Sequence, residues 1–455
     1  MGQLIRAAIS FVASSLSAGG VLLRRPAERR RVLIVVAGAL ICLYSVAVLW
    51  RVLTAPDVGL YCPLGMEIQR VANDSAPPGE KDGPRDNDTV VALCGQPVDW
   101  QHFLRRLNSL PREQPQTVPA ELEGSDVAAT LRAAGGDSDL NIVRLDGVTW
   151  VRVDYQRTSG DGSSATCWRR LGTPDFEVVL PSVLWFLLKA GLFAVGAIVF
   201  WKRPDDPSAS QFFLLCLVTI GAFMGGYNWL YIATDPVLLT TFMACAVLLP
   251  AVSLHFYLVF PRPKPWLLRR PRRVLAALYA VPGLFLAAML ACYLTVRLLY
   301  EPGRIPTASA LTFLLPLVLG YFLVAALLYV LSVVSLVHSY RHADDDTERN
   351  QVKWILMGAV AALMPIGYSL YLTLFDRTAF GKGDATWPMF AASVCFTVAF
   401  TISITRYRLM QLDQIISSGV GYFLVSSLAG LLYYGLIFVG MLLLGNQVIA
   451  WPSPG

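Results

Sequence analysis

Nine runs of apolar residues constrain this chain more than any other feature. Each could cross a hydrocarbon layer roughly 30 Å thick as a helix rising about 1.5 Å per residue. They fall at 32–52, 179–201, 211–233, 237–260, 274–299, 312–338, 352–375, 385–405 and 420–445. Eight follow one another closely from residue 179, which predicts an eight-helix bundle over 179–445 with short loops. Charged residues make up only 15% of the chain, against about 25% in soluble domains, so an ordinary soluble enzyme is excluded.

The segment 53–178 is of another kind. It holds 19 of the chain's 31 acids, with Pro, Gly, Asp and Ser punctuation, and it is close to the commonest domain size. It reads as a folded aqueous domain. Its side follows from the basic residues flanking the spans. One side carries Arg6, Arg24, Arg25, Arg29 to Arg31, Lys202, Arg203, Arg262, Lys264, Arg269, Arg270, Arg272, Arg273, Arg341, Arg349, Arg406 and Arg408; the short loops of the other carry Arg304, Arg377 and Lys382. Such a bias marks the cytoplasmic side. The expectation is therefore a cytoplasmic basic segment 1–31, a first transmembrane helix 32–52, and an extracytoplasmic domain 53–178. Nine spans from an inside start leave a tail, 446–455, outside. Either the chain is cut short or one apolar run does not span.

The first 23 residues are mildly apolar and precede an arginine cluster; they form an interfacial helix or an unstructured tail. No cleavable signal follows from 32–52, which is of span length without a clear small-residue cleavage site. Cys42, Cys216, Cys245, Cys292 and Cys395 lie in spans and act as small apolar side chains. Cys62 and Cys94 lie in the outside domain, where a disulfide is one reading. Cys167, the odd one, is a buried thiol or a link between chains.

Within the outside domain, strand-like runs occur at 58–64, 66–71, 89–94, 140–145 and 148–155. Asp146-Gly147 between the last two predicts a hairpin, because both turn residues must take positive φ. A helix is expected from Asp99 onward, capped by that side chain, with Trp100, Phe103, Leu104 and Leu107 on one face. The run VGLYCPLGMEIQRVANDSAPPGEKDGPRDNDTVVALCGQPVDWQHFLRRL, closed by IVRLDGVTWVRVDY, resembles a bacterial PDZ domain over about 100 residues; the insertion 111–138 departs from that pattern. The resemblance implies that an extended peptide adds a strand between a strand and the helix. The groove would be lined by Leu60, Cys62, Leu64, Met66, Ile68, His102 and Leu107. The competing reading is a packing module without a ligand.

Four loop motifs, FWKRPDDPSASQFFLLC (200–216), HFYLVFPRPKPWLLRRPRR (255–273), RHADDDTERNQVKWILMG (341–358) and RYRLMQLDQIISSGVGYFLVSSLAGLLYYG (406–435), carry a second resemblance. In this order they are similar to the membrane-sensor region of bacterial sensor histidine kinases. The matching positions are Phe260-Pro261, then Glu348, Arg349, Gln351, Lys353 and Trp354, then Arg406 to Leu409 with Asp413. That family implies the inner membrane of a bacterium, a homodimer, and a cytoplasmic kinase core reached through a final hairpin. Here the chain stops after the hairpin's first helix, which agrees with the parity problem.

Catalytic chemistry is not visible in the sequence. His102, His255, His338 and His342 form no HExxH or other ligand spacing, and neither a Walker loop nor a GxSxG elbow occurs; no cofactor, metal or nucleic-acid partner is implied. Asp344 to Asp346 read as a solvated run. The cluster Arg269, Arg270, Arg272 and Arg273 faces anionic headgroups. Arg297 can snorkel at a helix end. Gly221 and Gly225 allow close helix contact, within the chain more readily than between chains. Lys189 lies mid-span, where a charge costs about 2.5–3.5 kcal/mol on insertion scales. With Asn228, a candidate partner, it is the intramembrane polar candidate.

The expected fold is thus a polytopic α-helical membrane protein of about nine transmembrane helices with a small α+β PDZ-like extracytoplasmic domain. Its expected function is the sensor and transmembrane part of a two-component receptor, whose partners are membrane lipid and an outside peptide or protein. A transporter or channel-like protein is the alternative, motivated by Lys189, Asn228 and the proline-broken spans around Pro250, Pro316 and Pro365.

Overall fold

A computed structural model describes residues 26–408 apart from 63–64, 79–82, 117, 119–125, 128, 132, 134–139, 159–162, 300–304, 344, 377–378 and 380–382. Eight described helices are long and apolar enough to span a membrane. They lie within α1 (Pro26–Thr54), α3 (Phe176–Lys202), α4 (Pro207–Tyr227), α6 (Pro236–Val259), α8 (Pro271–Leu299), α9 (Ile305–Arg341), α10 (Asp346–Phe375) and α11 (Thr386–Arg408), with a short α7 (Pro265–Arg269) ahead of α8. The ninth expected span, 420–445, falls outside the described residues.

The start signals are local. Asp206 accepts from the Ser208 N–H at 2.8 Å ahead of Pro207, and Asp235 accepts from Val237 and Leu238 at 3.0 and 3.2 Å ahead of Pro236. An acid that accepts early N–H groups, followed by a proline that needs no donor, is a strong helix start. One expected span is corrected: 211–233 is not a single helix. It divides at Asn228 into α4 and a one-turn helix α5 (Trp229–Ile232). Gly225 and Gly226 weaken the last turn, and the Asn228 amide donates to the Met224 carbonyl at 3.0 Å.

Packing follows small residues and aromatic rings. In sequence along the bundle, α3, α4, α6, α9, α10 and α11 pack each on the next and α11 closes on α3, with α1 against α3 and α4 and α8 against α6 and α9. The core inside this ring draws on all six helices, including Val195, Phe212, Phe256, Leu336, Val352, Ile355 and Phe400. The central α4 is buried along most of its length. Gly221 and Gly225 sit against Cys245 and Phe242 of α6 and Tyr44 of α1, so this glycine pair packs helices within one chain.

Between α1 and α3 lies a small β domain. Its strands are β1 (Leu60–Tyr61), β2 (Arg70–Val71), β3 (Thr89–Leu93), β4 (Gln96–Pro97), β5 (Ile142–Leu145), β6 (Val148–Gln156) and β7 (Ser164–Arg170), with a helix α2 (Trp100–Ser109) after β4. These strands pair with one another antiparallel, and Gln116 adds an isolated parallel bridge to Val143 of β5. Strand β6 is the spine: β5 pairs with its first half, β3 with its second, and β7 along nearly its whole length. The β5–β6 hairpin turns at Asp146 (φ 50°) and Gly147 (φ 77°), as the Asp-Gly pair predicts. Asp99 caps α2 by accepting the His102 N–H at 2.9 Å, and Phe103 and Leu104 bury its inner face.

Candidate functional site

Two places in the bundle combine buried polar groups with long-range contacts. The first surrounds Lys189, halfway along α3 and 1% exposed. Its ammonium donates to Ser393 Oγ of α11 and lies 4.1 Å from the Phe223 ring centroid of α4 and 5.0 Å from that of Trp185. A cation over ring faces is attracted by their quadrupoles, more strongly once desolvated. Trp185 stacks on Phe223 and meets Phe390 edge-on, and its buried Nε1 has no hydrogen-bond partner among the described residues. One buried side chain thus touches both α4 and α11 from α3. The expected partner is corrected: Asn228 does not meet Lys189. It lies at the α4–α5 break, where its Oδ1 accepts from Ser182 Oγ at 2.7 Å and its amide is spent on Met224.

The second place is the end of the bundle where the arginines gather. Arg262, after α6, pairs with Glu348 of α10 at 2.7 Å. Lys264 is 2.5 Å from Ser339 Oγ of α9, and burial holds its pKa below the ordinary lysine value. The Arg349 guanidinium lies 5.1 Å from the Tyr340 ring centroid, and Ser403 Oγ of α11 donates to the Gln351 carbonyl at 3.0 Å. Beneath them the rings of Phe212, Phe256, Phe260 and Phe400 touch, with centroids 5.1 Å apart for Phe256–Phe260 and 5.4 Å for Phe212–Phe400. The first three loop motifs, far apart in sequence, therefore meet in one layer; of the fourth, Leu409 and Asp413 lie outside the described residues. Arg31 joins the same end by pairing with Asp205.

At the opposite end the β domain is seated on the bundle. Trp100 of α2 stacks on Trp229 of α5 at 5.0 Å and 22°, while its Nε1 donates to the Cys62 carbonyl at 2.9 Å. Asn108 accepts from Arg51 of α1 and lies 3.3 Å from Thr234 Oγ1. Leu230 and Ala233 pack into the same apolar cluster as Phe103 and Leu104. None of these contacts is visible as a motif. A tryptophan beside a span ordinarily reads as an interface anchor, and nothing in the sequence pairs two of them.

Of the expected groove residues, Leu60, Cys62 and Ile68 are buried in that cluster, with Met66 and Leu107 packed against it. The His102 ring lies 3.6 Å from Asp99. Leu64 falls outside the described residues. Cys62 and Cys94 are buried free thiols, not a bridged pair. Burial raises them to about 12 and about 11, so the thiolate that disulfide exchange requires is scarce. Among the described residues no group of three His, Cys, Asp or Glu is placed to hold a metal.

Residues 185–412 match the family model described as the N-terminal 7TM region of histidine kinase. This stretch begins within α3 and takes in α4, α6, α8, α9, α10 and α11, seven spanning helices. The chain belongs to that family. In its terms, α1 and the β domain precede the 7TM region, and the basic layer and the Lys189 site lie inside it. No curated protein and no solved structure matches the chain.

Proposed function

We propose that the chain is the sensing and transmembrane part of a two-component histidine kinase, in which an extracytoplasmic β domain biases a seven-helix relay toward one of two states. The observation that carries this reading is the family match over the seven helices, with a folded domain seated on one end of them. Seven crossings from the domain end bring the end of α11 to the side opposite the domain. The arginine-bearing loops make that side the cytoplasm, where a kinase output following α11 would meet ATP. A ligand shifts such a relay only by binding its two states unequally. The domain's PDZ-like order, from the Gly59 turn through the Asp99-capped helix to the closing hairpin, points to an extended peptide or protein as that ligand. The same family resemblance suggests that two copies act together. Lys189, enclosed by rings and a hydroxyl, fits a packing post better than a transport path.

The test has two arms. A reporter active only outside the cell, inserted at Gly147, should be lit and at Arg270 silent; the reverse pattern would remove the receptor topology. The complete gene product, purified in lipid nanodiscs, should label itself from ATP on histidine. Absence of acid-labile, base-stable label would remove the kinase assignment.

A further inference from the structure

We propose that α5, a single helical turn, is the element through which the β domain acts on α11, the last described helix of the 7TM region. The turn is wedged between two cores. On one side the Trp229 ring stacks on Trp100, and Leu230 and Ala233 pack against the apolar cluster of the domain. On the other side Ile232, 0% exposed, belongs to a cluster inside the bundle that contains Trp185 of α3 and Met224 of α4, with Phe390 of α11 packed against it. Among the described residues α5 is the only helix that contributes to both the domain cluster through Leu230 and this bundle cluster through Ile232. Interiors packed to crystal density have little free space, so a displaced turn displaces what it touches on either side.

From α5 inward the contacts continue to α11. Asn228, at the head of the turn, accepts from Ser182 Oγ of α3 at 2.7 Å. Trp185 stacks on Tyr227 at 6.1 Å and meets the Phe390 ring of α11 edge-on at 5.1 Å. Lys189 then donates to Ser393 of α11. Ser182, Trp185 and Lys189 are spaced by three and four residues, so they share one face of α3, and Phe390 and Ser393 share one face of α11. One column of rings and hydrogen bonds thus joins the domain's seat to α11. The coupling deepens the receptor reading and rests on it for its purpose. It is read by hydrogen exchange, with no kinase activity, so the two fail separately.

Coupling between two places is reciprocal, so it is readable from the α11 end. The full chain in lipid nanodiscs is given Ser393→Ala, which removes the hydroxyl that Lys189 meets. Amide exchange over 229–235 should quicken about threefold or more, while exchange over 148–156 in the sheet stays unchanged. Thr397→Ala, one turn further along α11, is the control. The Thr397 hydroxyl is spent on the Ser393 carbonyl of its own helix at 2.8 Å, and its loss should leave 229–235 unchanged. From the other end, Ile232→Val should quicken exchange over 386–393 about twofold or more. No change over 229–235 in Ser393→Ala would overturn the coupling. An equal effect of Thr397→Ala would overturn it too, because any loosening of α11 would then spread. Unchanged exchange over 386–393 in Ile232→Val would remove α5 as the carrier.

Discussion

Lys189 shows how a single residue can oppose its solvent and still be retained. Its ammonium is spread over two ring faces and one hydroxyl, and desolvation at mid-membrane costs about 2.5–3.5 kcal/mol on insertion scales. Its side chain is buried beside the stacked rings of Trp185 and Phe223. The two contributions separate on substitution. Lys189→Met keeps most of the volume and removes the charge, so its unfolding midpoint in detergent should equal or exceed that of the wild type. Lys189→Ala removes the packing as well and should destabilise by about 2 kcal/mol or more, the cost of a buried cavity. Chemical denaturation followed by tryptophan fluorescence measures both. If the two variants lose stability equally, the charge itself is stabilising and the packing account of this site is wrong.

At the level of elements, helix contact is decided by what has no side chain. A Cβ at Gly225 would fall on Tyr44 Oη and lie 2.6 Å from Phe242 Cβ, whereas one at Gly191 would meet nothing within 4 Å. Gly225→Ala should therefore cost about 1–3 kcal/mol through overpacking of α4 against α1 and α6, and Gly191→Ala should be neutral or slightly stabilising. Thermal unfolding of the two purified variants checks this; equal midpoints would refute the close approach. The same contrast explains how much could be read in advance. The described spans were legible because hydropathy over about 20 residues survives any detail of packing, and α2 because Asp99 caps an amphipathic run. Strand β7 carries no such signal, although it pairs with nearly all of β6. Cys167 enters the cluster under α2 while Trp168 enters the one beside Val143 and Trp150, so both its faces are covered and no alternation marks it. The break at Asn228 was likewise hidden within an uninterrupted apolar run.

Across the whole molecule, the domain meets the bundle through a few anchored contacts at α2 and α5, while its sheet is held by its own strands. The Lys189 site escaped in part for the same reason: Ser393 is 204 residues away, and no local pattern joins them. If α2 is the element through which the bundle feels the domain, weakening the joint should loosen α2 without loosening the sheet. Trp229→Ala removes the stacked ring at 5.0 Å, a contact worth about 0.5–1.5 kcal/mol beyond the area it buries. Local opening free energies govern amide exchange, and units that open separately exchange separately. Hydrogen exchange of this variant in nanodiscs should therefore quicken over 100–109 and 229–235 and stay unchanged over 148–156 and 164–170. Faster exchange spread evenly through the domain would mean that sheet and helix open as one body, and unchanged exchange at 100–109 would mean that the tryptophan pair does not hold α2. In either case a signal could not pass by moving α2 against the sheet.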